Sequence, residues 1–550
     1  MPGVVRVRRF LRRSAAAGAL LVLASVLPSL ATAQQGPTDF AKVACSLPHE
    51  QLLRIWRGTQ EGRSGDVLIV PQEPNFLGSN FPHSGPWDYL QDVPMMWYGP
   101  GIVPAIGAVD RPVTSADIAP TEAALVHYGG FQAADGHPMP EVQPANGTVP
   151  KLIVTFVWDA GGRSVLDTYP DDWPVLKSLI PKGVWFEHAS VGSSPSITPA
   201  THSTIGTGAY PMNTGQVDAE FRVGPELIRS GELGPQLLDT PTFADLYDRA
   251  MGNEPIVGDL ASVTWHLNMM SHGLLFNGGD KDIAVLRTPA ATGDGNEGTE
   301  GTVWNLQGKN QPWYRFPAYV NDLPPLSHYT RQLDAADGAI DGNWRQDDID
   351  QLESGWATPA RVPYQDRMYT EVIRREGFGR GGAPDLLFIN SKIIDHISHL
   401  YSVNSIEMQD TLKWQDAGLK DLIHTLNAQV GHGNWVLLVT ADHGAQFNPQ
   451  VSGAFQITPT AMTTDLQAAF GSDSVQGVRT SEIFMYPDAL RQGDHTIDDV
   501  ATFVLNYTKG QATSDPSTLA PGEASQEVFA AAFPTTVFDR QLPCLPEMAT

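Results

Sequence analysis

Short apolar runs alternate with amphipathic stretches from residue 151 onward, and that alternation most narrows the folds open to this chain. The runs are 152–158, 386–389, 435–440 and 483–486, with strand-like stretches at 186–190 and 255–263. Helical patterns stand between or after them at 172–180, from Pro199 past His202, and at 242–249, 405–429 and 497–507. Strands that are apolar on both faces and separated by helices fit a parallel sheet covered on both sides. The expected fold is therefore α/β, a doubly wound and mostly parallel sheet with helices on both faces. The stretch 216–380 is polar, Gly-rich and weakly periodic over 275–380, which suggests an inserted cap. No internal repeat is present. In such sheets the site forms just beyond the carboxyl ends of the strands.

Upstream, 50–57 reads as a helix, 67–70 (VLIV) as a buried strand, 93–98 as a further strand and 121–128 as a helix. Residues 129–150 are dense in Gly, Pro and Asn and read as a linker. With 550 residues, 41% of them hydrophobic, the chain can bury one large core with an insertion, or two domains.

Residues 1–33 read as a secretory signal peptide. Arg6, Arg8, Arg9, Arg12 and Arg13 form a positive start, 15–27 an apolar run, and Ala31-Thr32-Ala33 a cleavage site. The apolar run is short for a membrane span, so no transmembrane segment is expected after cleavage. The Arg8-Arg9 pair leaves Sec and twin-arginine export both open. The expected location is periplasmic or extracellular. Loss of the five arginines takes the net charge from −26 to −31, which repels nucleic acid and anionic lipid and argues against scaffold binding to either. A small anionic substrate stays compatible where bound divalent ions dominate the local field. Cys45 and Cys544 are the only cysteines, and in an oxidising compartment a disulfide joining the two ends is expected.

Three places offer metal ligands at the ends of apolar runs. Asp159 follows 152–158, where a carboxylate is costly unless it meets a cation; alone it reads as readily as a turn. Asp442-His443-Gly444 after WVLLVT is a stronger signal, two adjacent ligands and a glycine that lets the backbone turn. Asp395 and His399 stand four apart, on one helical face within reach of one ion. His396 between them would point elsewhere. Within 191–215, dense in Ser, Thr, Gly and Pro, Thr198 precedes Pro199 at a helix start. Such a terminus favours anions. A divalent ion would lower the pKa of its hydroxyl, though Thr-Pro alone is an ordinary N-cap.

Together these residues, with Thr198-Pro199-Ala200-Thr201-His202, Thr207-Gly208 and Tyr210-Pro211, resemble the alkaline phosphatase superfamily. The resemblance is nearest to type I phosphodiesterase/nucleotide pyrophosphatase and the related threonine-nucleophile phosphatases. It implies two zinc ions, one held by Asp159, Thr198, Asp442 and His443, the other by Asp395, His399 and one further histidine. That histidine normally lies downstream, where this chain has only His495 in a surface-helix context. The corresponding pattern stands instead near the N-terminus, in 62–66, His83-Ser84-Gly85-Pro86-Trp87-Asp88-Tyr89, Val93-Pro94, Tyr98-Gly99 and 117–121. A circular permutation is therefore expected: 34–150 would be a permuted segment of the catalytic fold carrying His83, and 151–550 the main catalytic domain with a cap at 216–380. A Cys45–Cys544 bridge would restore continuity across the permuted ends.

The substrate positions depart from the family. Ala219 stands where an Asn often holds a phosphoryl oxygen. Thr264 and His266 stand where some phosphomonoesterases carry Lys and Arg. Loss of a basic pair favours diesters over dianionic monoesters, with His266 a candidate substrate donor. The resemblance thus implies a phosphoric ester hydrolase of the phosphodiesterase type acting on a small phosphate ester through a phosphothreonine. A phosphomonoesterase with the same site is the alternative, and a catalytically silent binding protein a more distant one. Sulfatase chemistry is disfavoured because the nucleophile is Thr.

Overall fold

The structure, a computed structural model, describes residues 38–549 except 79, 263, 276–277, 288–303, 307, 355–356 and 514. The expected leader, 1–33, lies outside the described residues. Residues Asp39–Thr550 form one compact unit. Among the described residues no helix is long and apolar enough to cross a membrane.

Among the described residues the main sheet has ten strands and is mostly parallel. Leu152–Trp158 lies at its middle, flanked in parallel by Asp385–Ser391 and Trp435–Thr440. Val257–Leu260 and Asp282–Arg287 continue the parallel array beyond Asp385–Ser391. On the other side Met95–Tyr98 runs antiparallel between Trp435–Thr440 and Val184–Ser190, and Gly107–Thr114 then pairs parallel with the latter.

Alternation along each central strand explains why every position is buried. Leu152, Val154, Phe156 and Trp158 share a core with Leu387, Ile389, Leu437 and Val439. That core holds residues of helices Arg361–Glu376, Ile393–Tyr401 and Ile406–Leu426. Ile153 and Val157 enter a second core with Leu386, Phe388, Val436 and Leu438, covered by residues of Ile118–Leu125, Phe243–Ala250 and Thr198–Thr207. A two-residue repeat sends neighbours to opposite faces, and both faces are dry.

Part of the expected cap, 216–380, belongs to the main sheet. Val257–Leu260 and Asp282–Arg287 extend the sheet, and Val362, Met368, Tyr369 and Val372 pack in the same core as Phe156. Only six residues form the Asp282–Arg287 strand, between polar stretches that dilute its periodicity.

A smaller antiparallel sheet was not anticipated. It joins Val475–Val478, Glu482–Met485, Val67–Pro71 and Phe529–Pro534 in that order. Its core includes Phe40, Ala44 and Leu53 from the first two helices and Val500, Ala501 and Val504 from Ile497–Leu505. Cys45 and Cys544 are bonded beside it.

Candidate active site

The three central strands are in register, Leu152 opposite both Asp385 and Trp435, so their carboxyl ends finish level. Asp159, Lys392 and Asp442 therefore leave the sheet at one edge. Ala160, directly after Asp159, takes a left-handed conformation at φ 58°, and its N–H donates to Asp442 Oδ1 at 3.0 Å. A strained non-glycine backbone of this kind persists only where its surroundings hold it. The two loops touch backbone to backbone: a Cβ on Gly162 would lie 2.6 Å from the Gly444 Cα. Glycine must follow Asp442-His443 because a Cβ on Gly444 would lie 2.2 Å from the Tyr89 carbonyl oxygen.

Thr198 opens the buried ten-residue helix Thr198–Thr207. Its Oγ1 lies 3.4 Å from His443 Nε2. Asp395 and His399 project from Ile393–Tyr401. His83 reaches them from the segment before the short helix Asp88–Gln91. Its Nδ1 donates to the Ser196 carbonyl at 3.1 Å, and Ser196 Oγ donates back to the His83 carbonyl at 2.9 Å. His83 Nε2 is thereby turned toward Asp395 Oδ1, 3.3 Å away, with His399 Nε2 at 3.4 Å from the same oxygen. His443 is set the same way: Nδ1 donates to the Gly444 carbonyl at 2.9 Å, and Nε2 faces Asp442 Oδ2 at 3.4 Å and Asp159 Oδ1 at 3.5 Å.

Two ligand sets result, His83 with Asp395 and His399, and Asp159 with Asp442 and His443, the candidate atoms of each within 4.8 Å of one another. The donor chemistry fits divalent ions. Imidazoles anchored through Nδ1 present an Nε2 lone pair to carboxylates, and Asp395 Oδ1 and Asp442 Oδ2 are buried without a hydrogen bond. Mixed N/O sets of this kind suit zinc and its first-row neighbours. His495, the other histidine weighed, packs on Phe470 instead.

Electrostatics follow from burial and one cation. Burial alone would raise Asp159 and Asp395, but the Lys392 ammonium beside them holds both well below the usual carboxylate range. Asp442 is pushed well above it by burial and by the charge of Asp159. Burial and neighbouring His83 keep His443 neutral, as burial and His266 lower His202 to about 3.

Several partners escaped the sequence reading. Lys392, 3% exposed, donates to Asp159 Oδ1 at 3.0 Å, Thr198 Oγ1 at 3.0 Å and Asp395 Oδ2 at 2.8 Å. Its signal was a lysine directly beyond an apolar strand, three residues before Asp395. Asn390 Nδ2 donates to Asp159 Oδ2 at 2.9 Å, and His202 Nδ1 to the Thr198 carbonyl at 2.9 Å. His266 is fully buried, with Nε2 2.9 Å from Asp159 Oδ2. His396 is also buried, and burial lowers it to about 3.

The family model for type I phosphodiesterase/nucleotide pyrophosphatase matches residues 153–526. The chain belongs to that family. Membership places it among phosphoric ester hydrolases, within the alkaline phosphatase superfamily. Among family relatives, alkaline phosphatase PhoV of Synechococcus elongatus is 24% identical over 350 residues, 56% of this chain and 62% of its own. A Myroides odoratus protein named a calcium-transporting ATPase is 23% identical over 418 residues, 66% of this chain and 73% of its own. A crystal structure of an alkaline phosphatase PafA mutant aligns with a TM-score of 0.49 and 17% identity, over 70% of this chain and 84% of that one. The family match begins one residue inside strand Leu152–Trp158 and so leaves His83 outside it.

Proposed function

We propose that the chain is an exported, two-zinc phosphoric ester hydrolase in which Thr198 is the nucleophile. The observation that carries the proposal is the seating of the Thr198 hydroxyl, 1% exposed, against His443 of one carboxylate–imidazole set and Lys392, which bonds to both sets. Asp159, Asp442 and His443 with Thr198 would hold one ion, and Asp395, His399 and His83 the other. Bound there, two divalent ions would supply Lewis-acid stabilisation and a lowered hydroxyl pKa. The threonine oxygen attacks phosphorus in line. The bond to the leaving oxygen breaks with its electron pair on that oxygen, and water then splits the phosphothreonine. Two inversions give net retention. The N-terminus of Thr198–Thr207 faces this centre and favours the anion.

Thr264 and His266 in place of a basic pair favour diesters, the Lys392 ammonium at the nucleophile favours monoesters, and the ratio of the two turnovers decides between these readings. Export rests on residues 1–33 and the Cys45–Cys544 bridge. Circular permutation is supported by Met95–Tyr98 and Gly107–Thr114 standing inside the main sheet and by His83 meeting Asp395. The deciding experiment measures metal content and turnover of p-nitrophenyl phosphate and bis-p-nitrophenyl phosphate, with mass spectrometry of the quenched enzyme. A phosphorylated Thr198 and metal-dependent release of nitrophenol are expected. A chain with no metal and no turnover is instead a silent binding protein.

A further inference from the structure

We propose that Lys392 is a phosphoryl-binding catalytic residue that biases this site toward dianionic monoesters over monoanionic diesters. The proposal rests on the reading of Thr198 as nucleophile and of the two ligand sets as cation sites. Lys392 ends the turn between Asp385–Ser391 and Ile393–Tyr401, so its side chain starts at the sheet edge from which Asp159 emerges. The ammonium is buried, and a buried cation is tolerated only with anionic or strongly polar partners. Its partners include one oxygen from each ligand set and the threonine hydroxyl between them.

That position has a consequence for substrate. Attack brings phosphorus to bonding distance of Thr198 Oγ1, and with it the non-bridging oxygens into the neighbourhood of an ammonium 3.0 Å from that atom. Charge-assisted donation to those oxygens is stronger the more charge they carry. Two divalent ions would balance the carboxylates of Asp159, Asp395 and Asp442 together with the threonine oxyanion. Lys392 then leaves the centre with one positive charge in excess. A monoester brings two negative charges to meet it and a diester only one, in a buried place where the difference is weakly screened. The places expected to supply basic donors hold Thr264 and His266, and His266 is engaged by Asp159. The cation for the phosphoryl group comes from a different strand end.

The test compares wild type with Lys392→Met, each purified with its own metals. It reads kcat/KM for p-nitrophenyl phosphate and bis-p-nitrophenyl phosphate, metal per chain, and inhibition by inorganic phosphate. The expected result is equal metal content, a monoester kcat/KM that falls at least about tenfold further than the diester value, and a parallel weakening of phosphate inhibition. Equal losses on both esters, or a lost metal ion with an unchanged ester ratio, overturn the proposal. If the variant does not fold, wild type alone decides. Inorganic phosphate should inhibit at least about tenfold more tightly than dimethyl phosphate, and equal inhibition overturns the assignment. A wild type that binds two ions and hydrolyses neither ester ends the Thr198 reading beneath it instead.

Discussion

The imidazoles of His83 and His443 lie face to face, 3.6 Å between ring centroids and 9° from parallel. Each is fixed through Nδ1 to a backbone carbonyl and turns Nε2 toward its own ligand set. The stack is the wall the two sets share, so loss of one ring should empty one set and leave the other formed. His83→Ala is expected to lower metal content from about two ions per chain to about one, with loss of turnover. Elemental analysis checks it, and unchanged stoichiometry removes His83 from the site.

Thr198 should be separable from metal binding because each set keeps three other ligands. Thr198→Ala is expected to retain metal, to form no phosphothreonine and to lose turnover by about a thousandfold or more. Full activity in that variant ends the nucleophile assignment.

His266 allows a clean choice between two roles. As a hydrogen-bond partner of Asp159 Oδ2, it should act on metal affinity. His266→Phe is expected to weaken metal binding by roughly 10–100-fold, with KM unchanged at saturating metal. A raised KM with unchanged metal affinity would restore the substrate-binding role expected from its place in the chain.

The strands that carry the ligands were legible because their signal is local: seven largely apolar positions before Asp159 and six positions before Ala441-Asp442-His443 admit little but a buried strand. The Asp395–His399 pair was legible from helical spacing. Lys392 was not, since a lysine after a strand is ordinarily a solvated turn, and only the register of three strands aims its ammonium inward. Met95–Tyr98 was expected as a strand, but its antiparallel insertion depends on pairing with Trp435–Thr440, which no local pattern encodes. The same holds for the small sheet, where Val67–Pro71 pairs with Phe529–Pro534 from the far end of the chain.

Glu122 should make stability fall with rising pH. It is buried under the main sheet, accepts a hydrogen bond from Thr155 Oγ1, and burial pushes it from the ordinary 4.5 to about 8. Between those values the folded carboxyl keeps a proton that the unfolded one has lost. The folded state thus binds more protons, and stability declines across the window until both forms are ionised above about 8. Glu122→Gln keeps an acceptor for Thr155 without the charge. The melting midpoint of the variant minus that of wild type should be small near pH 4.5 and widen as pH approaches 8. A difference that does not change with pH means the carboxyl is not held neutral.

The Cys45–Cys544 bond closes a loop of 499 residues with Cα atoms 5.7 Å apart. Its surroundings already hold the two ends together. Phe40, Ala44 and Leu47 share a core with Phe533, Leu542 and Leu545, and the His49 ring donates from Nδ1 to the Cys544 carbonyl at 3.1 Å. Cutting the bond should therefore leave the native ends in place and act mainly by freeing the unfolded chain. In the chain-entropy model so long a closure contributes roughly 4 kcal/mol or more. The main sheet and its ligand sets lie outside that terminal core. A Cys45→Ser/Cys544→Ser variant is thus expected to melt several degrees lower while keeping its metal content and turnover at room temperature. Scanning calorimetry with and without reductant checks it: an unmoved midpoint in both experiments removes the bond from the stability of the fold, and a loss of metal in the variant would show that the terminal core props the active site.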